Sequence, residues 1–282
     1  MPLTTTAEML RKAQSEGYAV GAFNVENMEM VQAVVAAAEE LRAPVILQTT
    51  PSTVRYGGLE YYYAMAAAAA KKAAVPVAIH LDHGESFDLA MQALRVGYTS
   101  IMIDGSHHSF EDNIAVTRSV QDACAPSAVS VEAELGMVGG KEDDLESSGD
   151  VYTNPQQAAE FAARTGVGSL AVGIGTAHGV YQGTPVLDVN RLSEIRAAVS
   201  IPLVLHGASG LSDESVQECI RRGICKVNFA TELRIAYSDA VKAVLQEKPN
   251  TFDPKVYSKA GREAVQKLVM GRMKVCGCAG KA

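Results

Sequence analysis

Basic residues are in short supply: 25 Lys+Arg face 32 Asp+Glu, for a formal net charge of −7. A nucleic-acid-binding surface needs a dense Lys/Arg footprint, and no local basic run supplies one. Long apolar runs are missing too. The longest, Tyr61 to Ala70, spans ten residues, is mostly Ala, and runs straight into Lys71 and Lys72. A membrane-spanning helix requires about 20. The opening residues Met1 to Thr6 offer neither the basic region nor the apolar stretch of a signal peptide, so a cytoplasmic protein is expected. Cysteine is sparse and odd in number: Cys124, Cys219, Cys225, Cys276 and Cys278 fit reduced thiols better than a disulfide framework. Cys276-Gly277-Cys278 lacks the wider spacing and second ligand pair of a structural zinc site, and reads as a small-residue tail packed on the body.

What remains is an ordinary globular composition, 48% hydrophobic and 20% charged. Eight apolar, β-branched runs recur along the chain: Ala19 to Phe23, Pro44 to Gln48, Pro76 to Leu81, Thr99 to Asp104, Val129 to Glu134, Ser169 to Ile174, Pro202 to His206 and Cys225 to Asn228. Helical periodicity follows each one, in Met28 to Leu41, Leu59 to Ala73, Phe87 to Arg95, Phe110 to Asp122, Pro155 to Arg164, Val189 to Ala198, Asp213 to Arg221 and Glu232 to Leu245. Near-continuous apolar strands alternating with helices imply a parallel sheet covered by helices. Eight such units predict an α/β fold of the (β/α)8 TIM-barrel type. A doubly wound open sheet shares the pattern, but the first strand is not followed by the G-x-G-x-x-G turn that would favour it. Pro254 to Val275 reads as an extra C-terminal helix. With no Pro/Gly/Ser-rich linker, residues 1–282 are expected to form one domain, with 254–282 appended to the barrel.

Barrel enzymes place their chemistry at the C-terminal ends of the strands. Those ends carry Asp82 and His83 after the third strand, Asp104 after the fourth, Glu134 after the fifth, His178 after the sixth, His206 after the seventh and Asn228 after the eighth. A lone histidine is usually a structural hydrogen bonder. Three from different strands, converging on one mouth, suit an open three-ligand zinc site. Asp104 and Glu134 either hold the same metal in another position, orient the imidazoles from behind, or are merely solvated loop carboxylates. His80 points to the same side as Asp82 and is expected to fill the barrel or support the site, whereas His107 and His108, in a loop near the mouth, are expected at the surface or in support of the site. Lys226 faces the interior with Asn228, which leaves open a Schiff-base lysine or an interior lysine paired with a carboxylate.

Two further stretches bear on chemistry. His206-Gly207-Ala208-Ser209-Gly210 and Asn228-Phe229-Ala230-Thr231 follow the seventh and eighth strands, where barrels often bind phosphate on small-residue loops and a helix N-terminus. Glu134 opens a long Gly-rich, acidic segment running to Asp150 with little periodicity, which suits either a mobile lid carrying a titratable group or a plain flexible loop.

Taken together, His80-Leu81-Asp82-His83-Gly84, Val131 to Gly136, Gly139-Gly140-Lys141-Glu142-Asp143, Ile174 to Gly179 and Leu205 to Gly210 resemble the class II zinc-dependent ketose-bisphosphate aldolases. The likeness runs from the first strand to the Cys-Gly-Cys tail. It implies Zn²⁺ on His83, His178 and His206, with Asp104 and Glu134 as alternative metal ligands. It implies Asp82 as the acid/base and Glu142 as a lid carboxylate. Gly179, Gly207, Ser209, Asn228 and Thr231 then take the dihydroxyacetone-phosphate end, with Ala208 and Ala230 in the same loops. A monovalent cation, Na⁺ or K⁺, sometimes lies nearby. Thr50 falls where the family places a hydroxyl near the substrate.

The resemblance also implies a reaction. Breaking the C3–C4 bond of a ketose bisphosphate leaves an enediolate that needs an electrophile beside it, the part zinc plays. Asp82 would take the C4 hydroxyl proton and Glu142 would protonate the enediolate. Fructose and tagatose bisphosphates are C4 epimers, and the signals divide. Asp82-His83-Gly84 looks like the fructose-cleaving members, and the tail Cys276 to Gly280 looks like the tagatose branch, which the chain as a whole favours. Partners implied are a phosphorylated sugar, further copies of the chain in a homodimer or homotetramer, and an accessory subunit needed by some tagatose-type relatives. Another aldehyde partner, a metal-dependent hydrolase barrel and a barrel subunit without activity stand as alternatives.

Overall fold

All eight apolar runs form strands. The computed structural model describes residues 3–142, 145–147, 152–181, 183 and 185–282, with the side chains of 141, 142 and 145–147 outside the description. The barrel strands are β1 (Val20–Asn24), β2 (Val45–Thr49), β3 (Val77–Gly84), β4 (Ser100–Ile103), β5 (Ser130–Leu135), β8 (Ser169–Val172), β10 (Leu203–Leu205) and β11 (Ile224–Phe229), with the short strands β6 (Gly139–Glu142), β7 (Leu145–Ser147) and β9 (Ala177–His178) between them. The eight close in chain order, every neighbouring pair parallel, and β11 returns to β1. This is a TIM barrel. Strands covered on both faces need no polar alternation, which is why they read as continuous apolar runs.

The helices are α1 (Thr6–Glu16), α2 (Met28–Leu41), α3 (Pro51–Gly57), α4 (Leu59–Lys72), α5 (Phe87–Val96), α6 (Phe110–Cys124), α7 (Pro155–Thr165), α8 (Val189–Ala198), α9 (Asp213–Arg221), α10 (Thr231–Glu247) and α11 (Pro254–Val275). Most begin with a polar side chain that accepts from a free backbone N–H: Asn27 for α2, Ser86 for α5, Ser109 for α6, Asn154 for α7, Asp188 for α8 and Ser212 for α9. α10 differs. It follows Ala230, which has no side-chain cap to offer.

Three features depart from expectation. α1 was not anticipated, although Thr5 caps it and Gly17 ends it at φ 71°. It closes the N-terminal end of the barrel, where Thr4 N–H donates to Val77 O at 2.8 Å and Thr6 Oγ1 donates to Ser100 Oγ at 3.0 Å. α3 also appears unannounced, started by Pro51 in the loop after β2. The segment after β5, expected to be irregular, instead pairs where it is described: β6 runs antiparallel to β7 and parallel to β9. Its residues carry no apolar alternation, so backbone pairing with a distant strand was invisible locally.

The extra C-terminal helix is present and packs on α10 and α2. Beyond it the tail is held to the body: Ala19 N–H donates to Cys276 O at 3.0 Å and Gly280 N–H to Leu41 O at 2.8 Å. Cys276 and Cys278 are buried free thiols.

Candidate active site

Two consecutive residues at the end of β3 serve one mouth. Strand alternation would send them to opposite faces. The β3–β4 register shifts between Leu81 and Gly84, and His83 takes the left-handed φ of 49°. Such an irregularity costs energy and re-aims a side chain. Asp82 accordingly stays inside the barrel, where Oδ2 accepts from Asn24 Nδ2 at 2.9 Å and Gln48 Nε2 at 3.0 Å, and Oδ1 from Asn228 Nδ2 at 3.1 Å. His83 turns across the mouth, its Nδ1 2.7 Å from Asp104 Oδ2.

His83, His178 and His206 come together as expected, each offering a ring nitrogen within 4.8 Å of the others. Nδ1 of His206 lies 2.9 Å from Nε2 of His83, and the His178 ring stands edge-on to His83 at 5.0 Å between centroids. Asp104 and Glu134 form a second group with His83, again within 4.8 Å. Buried Glu134 Oε2 has no hydrogen-bond partner, although it stands 3.3 Å from His206 Nδ1. Two facing ring nitrogens beside a partnerless carboxylate oxygen make a donor set that a divalent cation completes.

Charge around this cluster is finely balanced. Burial works against ionisation of Asp104, yet its bonds to His83 and Ser106 hold its carboxyl far below the usual carboxylate range. Glu132 behaves likewise: burial opposes its charge, and Lys226 and His206 overcome that. For His206, burial disfavours the charged ring, but Glu132 and Glu134 outweigh it and lift the pKa to about 9. A proton and a metal ion compete for such a nitrogen.

Beside the histidines lies a cleft lined by His178, Gly179, Gly207, Ser209, Asn228, Ala230 and Thr231. Gly207 has φ 66°, and a Cβ there would lie 2.6 Å from the Ala177 carbonyl oxygen. Only glycine lets these two loops meet. Ser209 Oγ accepts from Ala230 N–H at 3.2 Å, and Tyr181 Oη donates to Gly207 O at 2.7 Å while accepting from Ala177 N–H at 2.8 Å. The uncapped start of α10 opens here, so its first N–H groups and positive dipole end face the cleft.

A family model described as fructose-bisphosphate aldolase class-II matches residues 4–281. The chain belongs to that family. Members are carbon–carbon lyases that act on phosphorylated sugars and are generally metal-dependent. This aldolase is 39% identical to the YdjI aldolase of Escherichia coli K12, with 99% of each chain covered and a TM-score of 0.89. It is 33% identical to a candidate fructose-1,6-bisphosphate aldolase from Coccidioides immitis, covering 97% of this chain and 96% of that one, TM-score 0.88. The fructose-bisphosphate aldolase of Campylobacter jejuni shares the fold at 22% identity, TM-score 0.85, over 100% of this chain and 97% of that one.

Not every expected residue reaches the aldolase's cleft. Thr50 is buried at the start of α3, its hydroxyl 3.1 Å from Thr53 Oγ1, and Ala208 is buried within its loop. Glu142 ends β6, and its side chain lies outside the described residues, as does Asp143 altogether. His107 and His108 are exposed; His80 is buried in the barrel. Sequence reasoning missed Asn24 and Arg234, which line the cleft, and Gln48 and Glu132, which hold Asp82 and His206. Arg234 sits one helical turn after Thr231, a spacing that could have found it. Lys226 is fully buried with Nζ 2.9 Å from both oxygens of Glu132, the paired arrangement rather than a free amine.

Among the described residues, no helix is long and apolar enough to cross a membrane.

Proposed function

We propose that this aldolase cleaves a ketose 1,6-bisphosphate reversibly to dihydroxyacetone phosphate and glyceraldehyde 3-phosphate, with zinc held by His83, His178 and His206. Tagatose 1,6-bisphosphate is the favoured substrate and fructose 1,6-bisphosphate the second. The observation that carries the reading is the juxtaposition of two chemistries: the three-histidine cluster borders the glycine-lined cleft at the uncapped start of α10.

Each group then has a task. Gly179, Gly207, Ser209, Asn228 and Thr231 hold the phosphate of the dihydroxyacetone end, where backbone N–H groups approach an anion closely. That anchoring turns remote binding energy into placement of the reacting carbons. A zinc ion, when bound, supplies Lewis acidity toward the charge left on the ketose oxygens. Asp82 takes the proton from the C4 hydroxyl as the C3–C4 bond breaks; Asn24, Gln48 and Asn228 fix its orientation through three amide hydrogen bonds. Asp104 orients His83 through Nδ1 and, with Glu134, offers an alternative position for the metal. Glu142 returns a proton to the ketose carbon. Ala230 shapes the wall, while Thr50 and Ala208 are buried outside the cleft lining. A monovalent cation near the phosphate, a homodimer or homotetramer, a cytoplasmic setting and an accessory subunit belong to the same proposal.

The test is release of dihydroxyacetone phosphate from tagatose 1,6-bisphosphate and from fructose 1,6-bisphosphate, each with chelator and with zinc restored. Chelator-sensitive release with the higher kcat/KM on tagatose bisphosphate is expected. A higher value on the fructose epimer reverses the substrate order, and no release from either sugar overturns the proposal.

A further inference from the structure

Lys226 on β11 and Glu132 on β5 take no part in the chemistry proposed above, yet both are buried to 2% exposure or less inside the barrel. Burying an ammonium and a carboxylate together is costly, and packed apolar side chains of similar size often serve stability as well or better. Stability alone therefore does not account for the pair.

The hydrogen-bond directions do. Lys226 Nζ lies 2.9 Å from each oxygen of Glu132 and 3.4 Å from Nε2 of His80. An ammonium only donates, so His80 Nε2 accepts and the ring proton sits on Nδ1, 2.8 Å from Ser100 Oγ. Thr6 Oγ1 of α1 donates to that same Ser100 hydroxyl, which ties the chain of contacts to the bottom of the barrel. At the other end, Glu132 Oε1 lies 3.1 Å from His206 Nε2. An ionised carboxylate only accepts, so Nε2 of His206 must carry a hydrogen. The lone pair of the neutral ring is then on Nδ1, the atom that faces His83 Nε2 at 2.9 Å.

We infer that Glu132 is a positioning residue for His206, and Lys226 a positioning residue for Glu132, so that Nδ1 of His206 is presented to a divalent cation before the cation arrives. This rests on reading His83, His178 and His206 as the metal-holding set. Carboxylate partners of this kind fix ring tautomer and angle, and their loss weakens metal binding about 10–100-fold. Lys226 satisfies both Glu132 oxygens at once, so Glu132 cannot rotate away from the ring without giving up a bond.

The experiment compares wild type, Glu132→Gln, Lys226→Met and the double variant, each purified as the holoprotein and then stripped of metal. Zinc affinity is read by competition with a chromophoric chelator, folding by circular dichroism and Tm, and the His206 tautomer by ¹⁵N NMR of the side chain at a pH where the ring is neutral. A carboxamide can meet Nε2 with oxygen or with NH₂, so Glu132→Gln should bind zinc about 10–100-fold more weakly and show a mixed tautomer. The double variant strands no buried charge. It should fold even where a single variant does not, and still bind zinc weakly. Zinc affinity in folded Glu132→Gln or in the double variant within twofold of wild type overturns the inference and leaves the metal site standing. Failure of wild type itself to bind zinc overturns both.

Discussion

Asp82 and His83 are adjacent in the chain yet face one mouth, Asp82 accepting from Asn228 at 3.1 Å while His83 Nε2 stands 2.9 Å from His206 Nδ1. The register shift against β4 and the left-handed φ of His83 make this arrangement possible. It brings a carboxylate and a nitrogen able to hold a metal to one mouth, which regular strand alternation forbids.

Gly84 is what lets the bulge lie flat on β4. A Cβ there would run into the backbone carbonyl oxygen of Met102. Gly84→Ala should therefore cost about 1–3 kcal/mol, as overpacking does, and move His83 relative to His206. Thermal unfolding together with a zinc titration checks this; an unchanged Tm and unchanged zinc affinity would remove the bulge from the site's construction.

Dialysis against a chelator should abolish aldol cleavage and zinc should restore it. Lewis-acid assistance is worth several kcal/mol, so turnover should fall by about 100-fold or more. Cleavage that persists without metal and is trapped by borohydride would move the chemistry to a lysine. Lys226 would be the one to examine, although its ion pair with Glu132 argues against that role.

Much of this was legible from residues alone, for physical reasons that differ by element. Barrel strands announce themselves because burial on both faces leaves them apolar throughout. His83, His178 and His206 could be named because strand ends converge in a closed barrel, whatever the intervening loops do. The left-handed turn at His83 could not, since nothing in Asp82-His83-Gly84 distinguishes a bulge from a straight strand. Glu132 escaped notice because a charge two residues before Glu134 in an apolar strand has no local sign of its partner. Lys226 lies 94 residues away in sequence. Thr50 was placed near substrate by resemblance, but its hydroxyl is turned toward Ser52 and Thr53.

Gly207 tests how closely the two loops that carry His178 and His206 must meet. Alanine there would combine a left-handed φ of 66° with a Cβ 2.6 Å from the Ala177 carbonyl oxygen. Strain of about 1–3 kcal/mol follows, and the two loops must part. If these loops hold the sugar phosphate, KM for the bisphosphate measured at saturating zinc should rise about tenfold or more, because charge-assisted bonds to an anion carry about 1.5–3 kcal/mol each. Steady-state kinetics with metal analysis decides; an unchanged KM would place the phosphate elsewhere.

Asp82 carries the heaviest demand, and two variants separate its chemistry from its packing. Asp82→Ala removes the acceptor from Asn24, Gln48 and Asn228, leaving three buried amide donors short of a partner. Each costs about 1–3 kcal/mol when unsatisfied, so Tm should fall. Asp82→Asn preserves shape and one acceptor oxygen, so it should fold nearly as well as wild type. Neither side chain can take a proton from the C4 hydroxyl. Both variants should therefore keep zinc and lose about 10²–10⁴-fold in kcat, the usual worth of a positioned base. A fall in kcat for Asp82→Ala alone would mean that packing, not proton transfer, is what Asp82 contributes, whereas near-normal turnover in both would take Asp82 out of the mechanism.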